Sequence, residues 1–160
     1  MVVTVNSRHE LVQTLKKMPS LFLGIFICSL ALLAMLYGGL GMNAWGVFHM
    51  GICTHTFLTL GEATQIVGLM LLVVSFFLGE IPGLGSVFNM FFVGKFVDIV
   101  DNMQLFFTPE TFIGKLVMLC IGIILLGIGT FFYMRVGLGA GPRDGMMVGL
   151  VKRFNKPVWM

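Results

Sequence analysis

The stretch Gly137-Leu138-Gly139-Ala140-Gly141-Pro142-Arg143-Asp144 places a guanidinium and a carboxylate side by side at the start of a short apolar run, residues 142–154. At a helix start this pattern has two chemical uses. A proline at N1 and a carboxylate near N3 satisfy free backbone N–H groups and complement the positive end of the helix dipole. Alternatively, the helix N-terminus and Arg143 together hold an anionic group, as the broken helices of transporters hold substrate carboxylates. Arg143→Lys separates these readings, because a bidentate anion site loses affinity while a charge that only sets topology does not.

A second polar group is Asn43, Trp45 and His49, with His55 beyond it. Trp45 and His49 are four residues apart, so on a helix they share a face and could line one cavity. The plainer reading is an interfacial aromatic beside a hydrogen-bonded neighbour. His49 and His55 lie six apart, on different faces, with no acidic ligand nearby; a metal site is not expected. A third group is Asn89, Lys95 and Asp98 in one apolar run. An unpaired charge at the centre of a bilayer costs about 2.5–3.5 kcal/mol on insertion scales, so the expectation is a Lys95–Asp98 pair or a snorkelling Lys95. Asp98 is also a candidate for a solute or proton pathway. Asn89, nine residues before it, faces the other way on a regular helix unless Gly94 kinks it. Glu62 is accounted for by a capping box with Thr59, which leaves Gln65 as a weak candidate.

The elements that must position these groups belong in lipid. Hydrophobic residues make up 58% of the 160-residue chain, charged residues 11%, and mean hydropathy is +1.00. Soluble domains carry about 25% charge. A formal charge of +3 is too small to suggest nucleic acid. Cys28, Cys53 and Cys120 lie within apolar stretches without C-x-x-C spacing and read as reduced packing residues. No cleavable signal peptide is expected, since the first apolar run starts only near Ser20 and no A-x-A site follows.

Four segments approach the ~20 helical residues that cross a hydrocarbon core: about 20–38, 61–79, 84–103 and 111–134. Thr59 with Glu62 caps the second, Pro82-Gly83 reads as the tight turn before the third, and Thr108-Pro109 as the cap and N1 proline of the fourth. Ser7 with Glu10, and Leu11, Leu15 and Met18 on one face opposite Lys16, predict a short interfacial helix over 7–18. Gly24, Gly68, Gly122, Gly127 and Gly129 would let helices approach closely.

The organisation is a duplication. Gly39, Gly41 and Gly51 recur 98 positions later as Gly137, Gly139 and Gly149, and Leu21, Gly24 and Ile25 recur as Leu119, Gly122 and Ile123. Each Gly-Leu-Gly follows a span and precedes a run too short to cross, 43–56 or 142–154, which reads as a half-helix. Eight of ten Lys and Arg lie before the first span or after the fourth, so both ends are expected in the cytoplasm. Four crossings then put the first Gly-Leu-Gly outside and the second inside, an inverted repeat. The fold class expected is an all-α membrane protein of about four spans and two half-helices. Its parts are a cytoplasmic interfacial segment (1–18), a first repeat (19–110) and an incomplete second repeat (111–160).

The Gly137–Met147 stretch resembles the G-x-G-x-G-P-R-D-G-L-M segment of the YczE/YyaS/YitT group of bacterial integral membrane proteins. Gly85-Ser86-Val87-Phe88-Asn89 with Gly94 and Asp98 is similar to its G-T-x-x-N…G-x-x-x-D helix. The Gly39–Gly51 region looks like its G-x-G-x-x-P-W-D-x-x-H-x-G element, keeping Trp45 and His49 but with Ala44 for the proline and Gly46 for the acid. The resemblance implies a multi-pass protein of the bacterial inner membrane, and members that continue past the P-R-D segment. Second-copy partners for residues 63–101 are lacking, so a shortened form is expected, with the missing spans supplied by a homo-oligomer or a partner. Beside the lipid bilayer, the expected ligand is a small solute, anionic in the Arg143 reading, bound near Arg143, Asp144, Asn43, Trp45, His49, Asn89 and Asp98. Gly39, Gly41, Gly137 and Gly139 are structural, and no cofactor is expected. With no nucleophile–base pair, P-loop or H-E-x-x-H in the sequence, a secondary carrier or channel-like protein leads over an accessory scaffold, and an enzyme is not expected.

Overall fold

The computed structural model describes residues 7–139 and 141–154, with side chains from Thr14 onward. The Ser7–Glu10 capping box and the placement of Leu11 lie outside the described side chains. Among the described residues the architecture is six helices and no strand: α1 (Ser7–Gly38), α2 (Ala44–His55), α3 (Leu60–Phe77), α4 (Leu84–Asn102), α5 (Phe112–Met134) and α6 (Pro142–Phe154). Three of them, α1 from Thr14, α3 and α5, are long and apolar enough to cross a membrane. At 19 residues α4 is about as long, roughly 28 Å at 1.5 Å per residue, but carries Lys95, Asp98 and Asp101.

The first helix is continuous through Pro19, where a separate helix over 7–18 was expected. Proline removes one backbone bond, but the turns beyond it are held by tertiary packing: Leu21 and Ile25 are fully buried. Two helix boundaries also differ from expectation. The reversal after α3 is made at Leu78-Gly79 rather than at Pro82-Gly83. Gly79 has φ 92°, and its N–H and that of Glu80 donate to Phe76 and Ser75 carbonyls, a Schellman closure. Gly83 instead caps α4 in extended conformation. At α5 the cap is Thr111, whose hydroxyl accepts from Gly114 N–H, because Thr108 and Pro109 lie in the preceding non-helical segment. The Thr59–Glu62 capping box is present in both directions.

The helices α1 and α5 pack antiparallel along their length. Ser20 donates to the Phe132 carbonyl, Gly24 faces Gly129 and Tyr133, Gly122 faces Ala31 and Met35, and Gly38 faces Lys115 and Leu119. Glycine makes this approach possible: a Cβ on Gly24 would lie 2.6 Å from Tyr133 N and 2.8 Å from Gly129 O. Gly68 is likewise close-packed, against Met90, whereas Gly127 meets nothing within 4 Å, contrary to the expectation that it serves a helix contact. The other side of α1 carries α4 through edge-on rings, Phe22–Phe92 at 4.8 Å and Phe26–Phe96 at 5.5 Å, and through Ser29, whose hydroxyl is within 3.1 Å of the Val93 carbonyl. In turn α4 packs on α3, with Gly61 and Gly94 backbone to backbone. At one end of this bundle Tyr37 donates to Asp101, and Thr59 and Gly61 N–H donate to Asp98. At the other, Gly85 N–H donates to the Leu138 carbonyl and Lys152 pairs with Glu80. The four long helices therefore run side by side in alternating directions along the chain.

Both Gly-Leu-Gly turns have the same backbone. Gly39 and Gly137 have φ 64° and 67°, Gly41 and Gly139 have φ 134° and 124°. Gly39 N–H donates to Leu36 and Gly137 N–H to Met134, again 98 positions apart. These are left-handed conformations in which a Cβ is strained, so glycine is required. The short helices α2 and α6 follow at once, and each leans on α3.

Candidate functional site

Between α2 and α6 lies a cavity of about 320 Å³. The wall contributed by α1 and α5 is Cys28, Leu32, Leu126, Thr130 and Tyr133; α3 and α4 add Thr64, Gly68, Asn89, Met90 and Val93; the half-helix starts add Asn43, Trp45, Gly141, Pro142, Arg143 and Asp144. Four pairs in this lining are separated by the 98-position offset of the sequence: Cys28 and Leu126, Leu32 and Thr130, Asn43 and Gly141, Trp45 and Arg143. The last pair touches, with the Arg143 guanidinium carbon 5.4 Å from the Trp45 ring centroid. Such a cation–π contact contributes about 0.5–2 kcal/mol, more as the site is desolvated. Residues 98 positions apart in the sequence thus meet in the lining of this cavity.

Local sequence explains how each group is held. Asn43 caps α2, its side-chain oxygen accepting Gly46 N–H at 2.7 Å, so Trp45 projects from the first turn. Pro142 starts α6 and its fixed φ suits that place, which puts Arg143 and Asp144 in the first turn. Tyr133 braces the second Gly-Leu-Gly by donating to the Gly139 carbonyl at 3.0 Å. Among the described residues Arg143 makes no ion pair or hydrogen bond; Trp45 is its neighbour. Asp144 makes no close ion pair with Arg143, because consecutive helix positions point about 100° apart, although the carboxylate is near enough to act electrostatically on the guanidinium.

Five of the seven expected site residues thus come together: Asn43, Trp45, Asn89, Arg143 and Asp144. The other two do not line the cavity. His49 is buried behind it, Nδ1 at 3.1 Å from Thr64 Oγ. The Thr64 hydroxyl donates to the Leu60 carbonyl at 2.8 Å, so its oxygen accepts the proton of Nδ1. Nε2 is then a buried acceptor with no partner among the described residues. Asp98 does not pair with Lys95: its two oxygens accept Thr59 Oγ–H and Gly61 N–H, both at 2.9 Å. A carboxylate from α4 thereby caps the N-terminus of α3, an arrangement favoured by the helix dipole. Lys95 is exposed. Sequence reasoning missed Cys28, Thr64, Thr130 and Tyr133; applying the offset to Cys28 and Leu32 would have pointed to the facing wall.

A smaller cavity of about 180 Å³ lies on the other side of the α6 start, lined by Ser75, Glu80, Ser86, Gly139 and Gly145 among others. Gly141 lines both cavities. Among the described residues no cluster of His, Cys, Asp or Glu is arranged to hold a metal ion.

A bundle of long apolar helices around a largely apolar cavity that carries a few polar groups defines the class: a helical membrane protein. Residues 15–160 match the family of unknown function DUF6198, and the chain belongs to this YczE-type family. It is 31% identical over 136 residues to the uncharacterized membrane protein YczE of Bacillus subtilis, a match covering 82% of this chain and 61% of that protein. With an uncharacterized protein of Haemophilus influenzae it shares 33% identity over 117 residues, 73% of this chain and 53% of the other. The matched region is therefore under two thirds of the length of either relative. No solved structure matches the chain.

Proposed function

We propose that this chain is an inverted repeat whose central cavity is the solute site of a secondary transporter or channel-like protein of the bacterial inner membrane, both termini lying in the cytoplasm. The solute is small and bears an anionic group. The observation that carries the reading is the lining itself, in which four offset-related pairs converge and end in the Trp45–Arg143 contact. Inversion is supported by the antiparallel packing of α1 on α5, since equivalent helices that run in opposite directions place their following turns at opposite ends. Taking α4, which runs antiparallel to α3 and is about as long, as a fourth crossing gives the even number of spans that the charge distribution requires. A guanidinium in such a cavity is costly unless it serves a ligand, and it offers five N–H donors for a carboxylate or a similar anion. Gly141, between the two cavities, gives the solute a continuation toward the Glu80 end. No chemical step on the solute is part of the reading.

The test is flux of a broad solute panel in proteoliposomes, wild type against Arg143→Ala. The expected result is saturable flux for at least one anion-bearing solute, reduced tenfold or more by the substitution. Flux unchanged in Arg143→Ala would contradict the site. A second reading, a non-transporting accessory protein acting in an assembly, is favoured by one observation: only 17% of the apolar window of α5 is buried, against 56% for α1. Absence of flux together with a stably co-purifying membrane partner would select it.

A further inference from the structure

The charged lining of the main cavity balances to zero. Arg143 and Asp144 are the one basic and the one acidic side chain of its lining, and among the described residues neither makes a hydrogen bond or an ion pair within 4 Å; Arg143 lies against Trp45 and within electrostatic reach of Asp144. An anion alone would neutralise Arg143 and leave Asp144 facing a carboxylate. A ligand that offers both charges leaves neither unmatched.

A second set of contacts locates the partner for the positive end. A Cβ built on Gly141 would lie 3.4 Å from Asp144 Oδ2 and 3.9 Å from Asn89 Oδ1. Two oxygen acceptors from different helices thus flank a point that glycine keeps empty. A primary ammonium has three N–H donors and no acceptor, and it suits such a gap. The Arg143 side chain leaves the same first turn in another direction and lies against the indole of Trp45. Positive and negative subsites are therefore separate but adjacent, within one cavity of about 320 Å³.

We propose that the ligand of this cavity is a zwitterion of amino-acid size, with its carboxylate on Arg143 and its ammonium between Asp144 and Asn89. The inference rests on the solute-site reading above and narrows it to one chemical class. Gly141 then has a specific role: its missing side chain is the ammonium pocket. An alanine there meets only ordinary van der Waals distances, so Gly141→Ala keeps the fold and fills the pocket.

The experiment measures binding to purified protein in nanodiscs by thermal shift and calorimetry, at fixed ionic strength. The probes are glycine, L-alanine and L-serine, the matched anions acetate and propionate, and the matched cation isopropylammonium. The zwitterions should bind at least tenfold more tightly than either singly charged set. Gly141→Ala should weaken the preferred zwitterion at least tenfold without lowering the unliganded midpoint. Asp144→Asn should reverse the order, propionate binding better than L-alanine. Propionate binding as tightly as L-alanine to wild type would overturn the zwitterion and leave the anion site standing. Isopropylammonium binding best would overturn the zwitterion and the assignment to Arg143. Failure of every probe to bind would overturn both the inference and the solute site. A Gly141→Ala protein that folds and binds L-alanine normally would overturn the ammonium pocket.

Discussion

The turns Gly39-Leu40-Gly41 and Gly137-Leu138-Gly139 share their glycine φ angles and their closing hydrogen bond, and Gly39 and Gly137 are equally open, yet the surroundings of the residues that follow differ. Nothing lies within 4 Å of a Cβ built on Gly39 or Gly41. The second turn is docked: Leu138 accepts Gly85 N–H, Gly139 is pressed on Gly83 and Ser86, and Tyr133 reaches over it. The helices before them differ in the same way. Ile25 and Leu33 of α1 are fully buried; their counterparts Ile123 and Phe131 on α5 are 56% and 61% exposed. Local conformation is thus set by each glycine turn on its own, while burial is set by the α3–α4 hairpin, which covers α1 and the second turn and leaves α5 and the first turn bare. The cavity inherits this asymmetry, with an aromatic at position 45 and a cation at position 143.

This comparison can be broken at several points, and the largest effect is expected at the interface between the equivalent helices. Gly24→Leu or Gly129→Leu forces backbones apart and should cost at least 1–3 kcal/mol, roughly the cost of overpacking, or prevent recovery of folded protein. Gly127→Leu, on the bare face of α5, should stay within about 0.5 kcal/mol of wild type in detergent unfolding. Equal losses at Gly24 and Gly127 would contradict the packing described for α5.

Next in size is the carboxylate that caps α3. Asp98→Ala leaves Thr59 and Gly61 N–H without their acceptor and should destabilise by about 1–3 kcal/mol, while solute binding by the folded fraction is unchanged. A selective loss of binding with normal stability would return Asp98 to the solute pathway. The two turns give a finer contrast. Gly39→Ala and Gly137→Ala should cost similar amounts, about 1–2 kcal/mol for a left-handed residue. Gly139→Ala should cost more than Gly41→Ala, because only the former meets Ser86 and Gly83. The smallest effect is at Trp45→Leu, where loss of the cation–π contact should cost about 0.5–1 kcal/mol and loosen Arg143 in binding measurements.

The helices, including the two short ones, and the glycine turns were legible in the sequence, because hydropathy, capping residues and left-handed glycines are local signals. Residues 142–154 and 43–56 match α6 and α2 closely for that reason. Pro82-Gly83 and Thr108-Pro109 misled because both have turn and cap chemistry, whereas the actual closures were made by Gly79 and Thr111 a few residues away. The site was partly legible. Arg143, Asp144, Asn43, Trp45 and Asn89 were identifiable as polar residues in apolar or glycine-rich settings. Asp98 and His49 carried the same signal but serve packing partners on α3, a choice decided by tertiary contacts that spacing does not encode. Thr64, Thr130 and Cys28 look like ordinary small residues of an apolar span, and only the crossing of helices brings them to one wall.

An inverted repeat requires the two turns to lie at opposite faces of the membrane. In a background with Cys28, Cys53 and Cys120 replaced by serine, Leu40→Cys and Arg153→Cys report the two ends in intact cells through an impermeant maleimide. Labelling of residue 40 in intact cells, with residue 153 labelled only after permeabilisation, is the predicted result; labelling of both from the same side would contradict the inverted repeat and the cavity built on it.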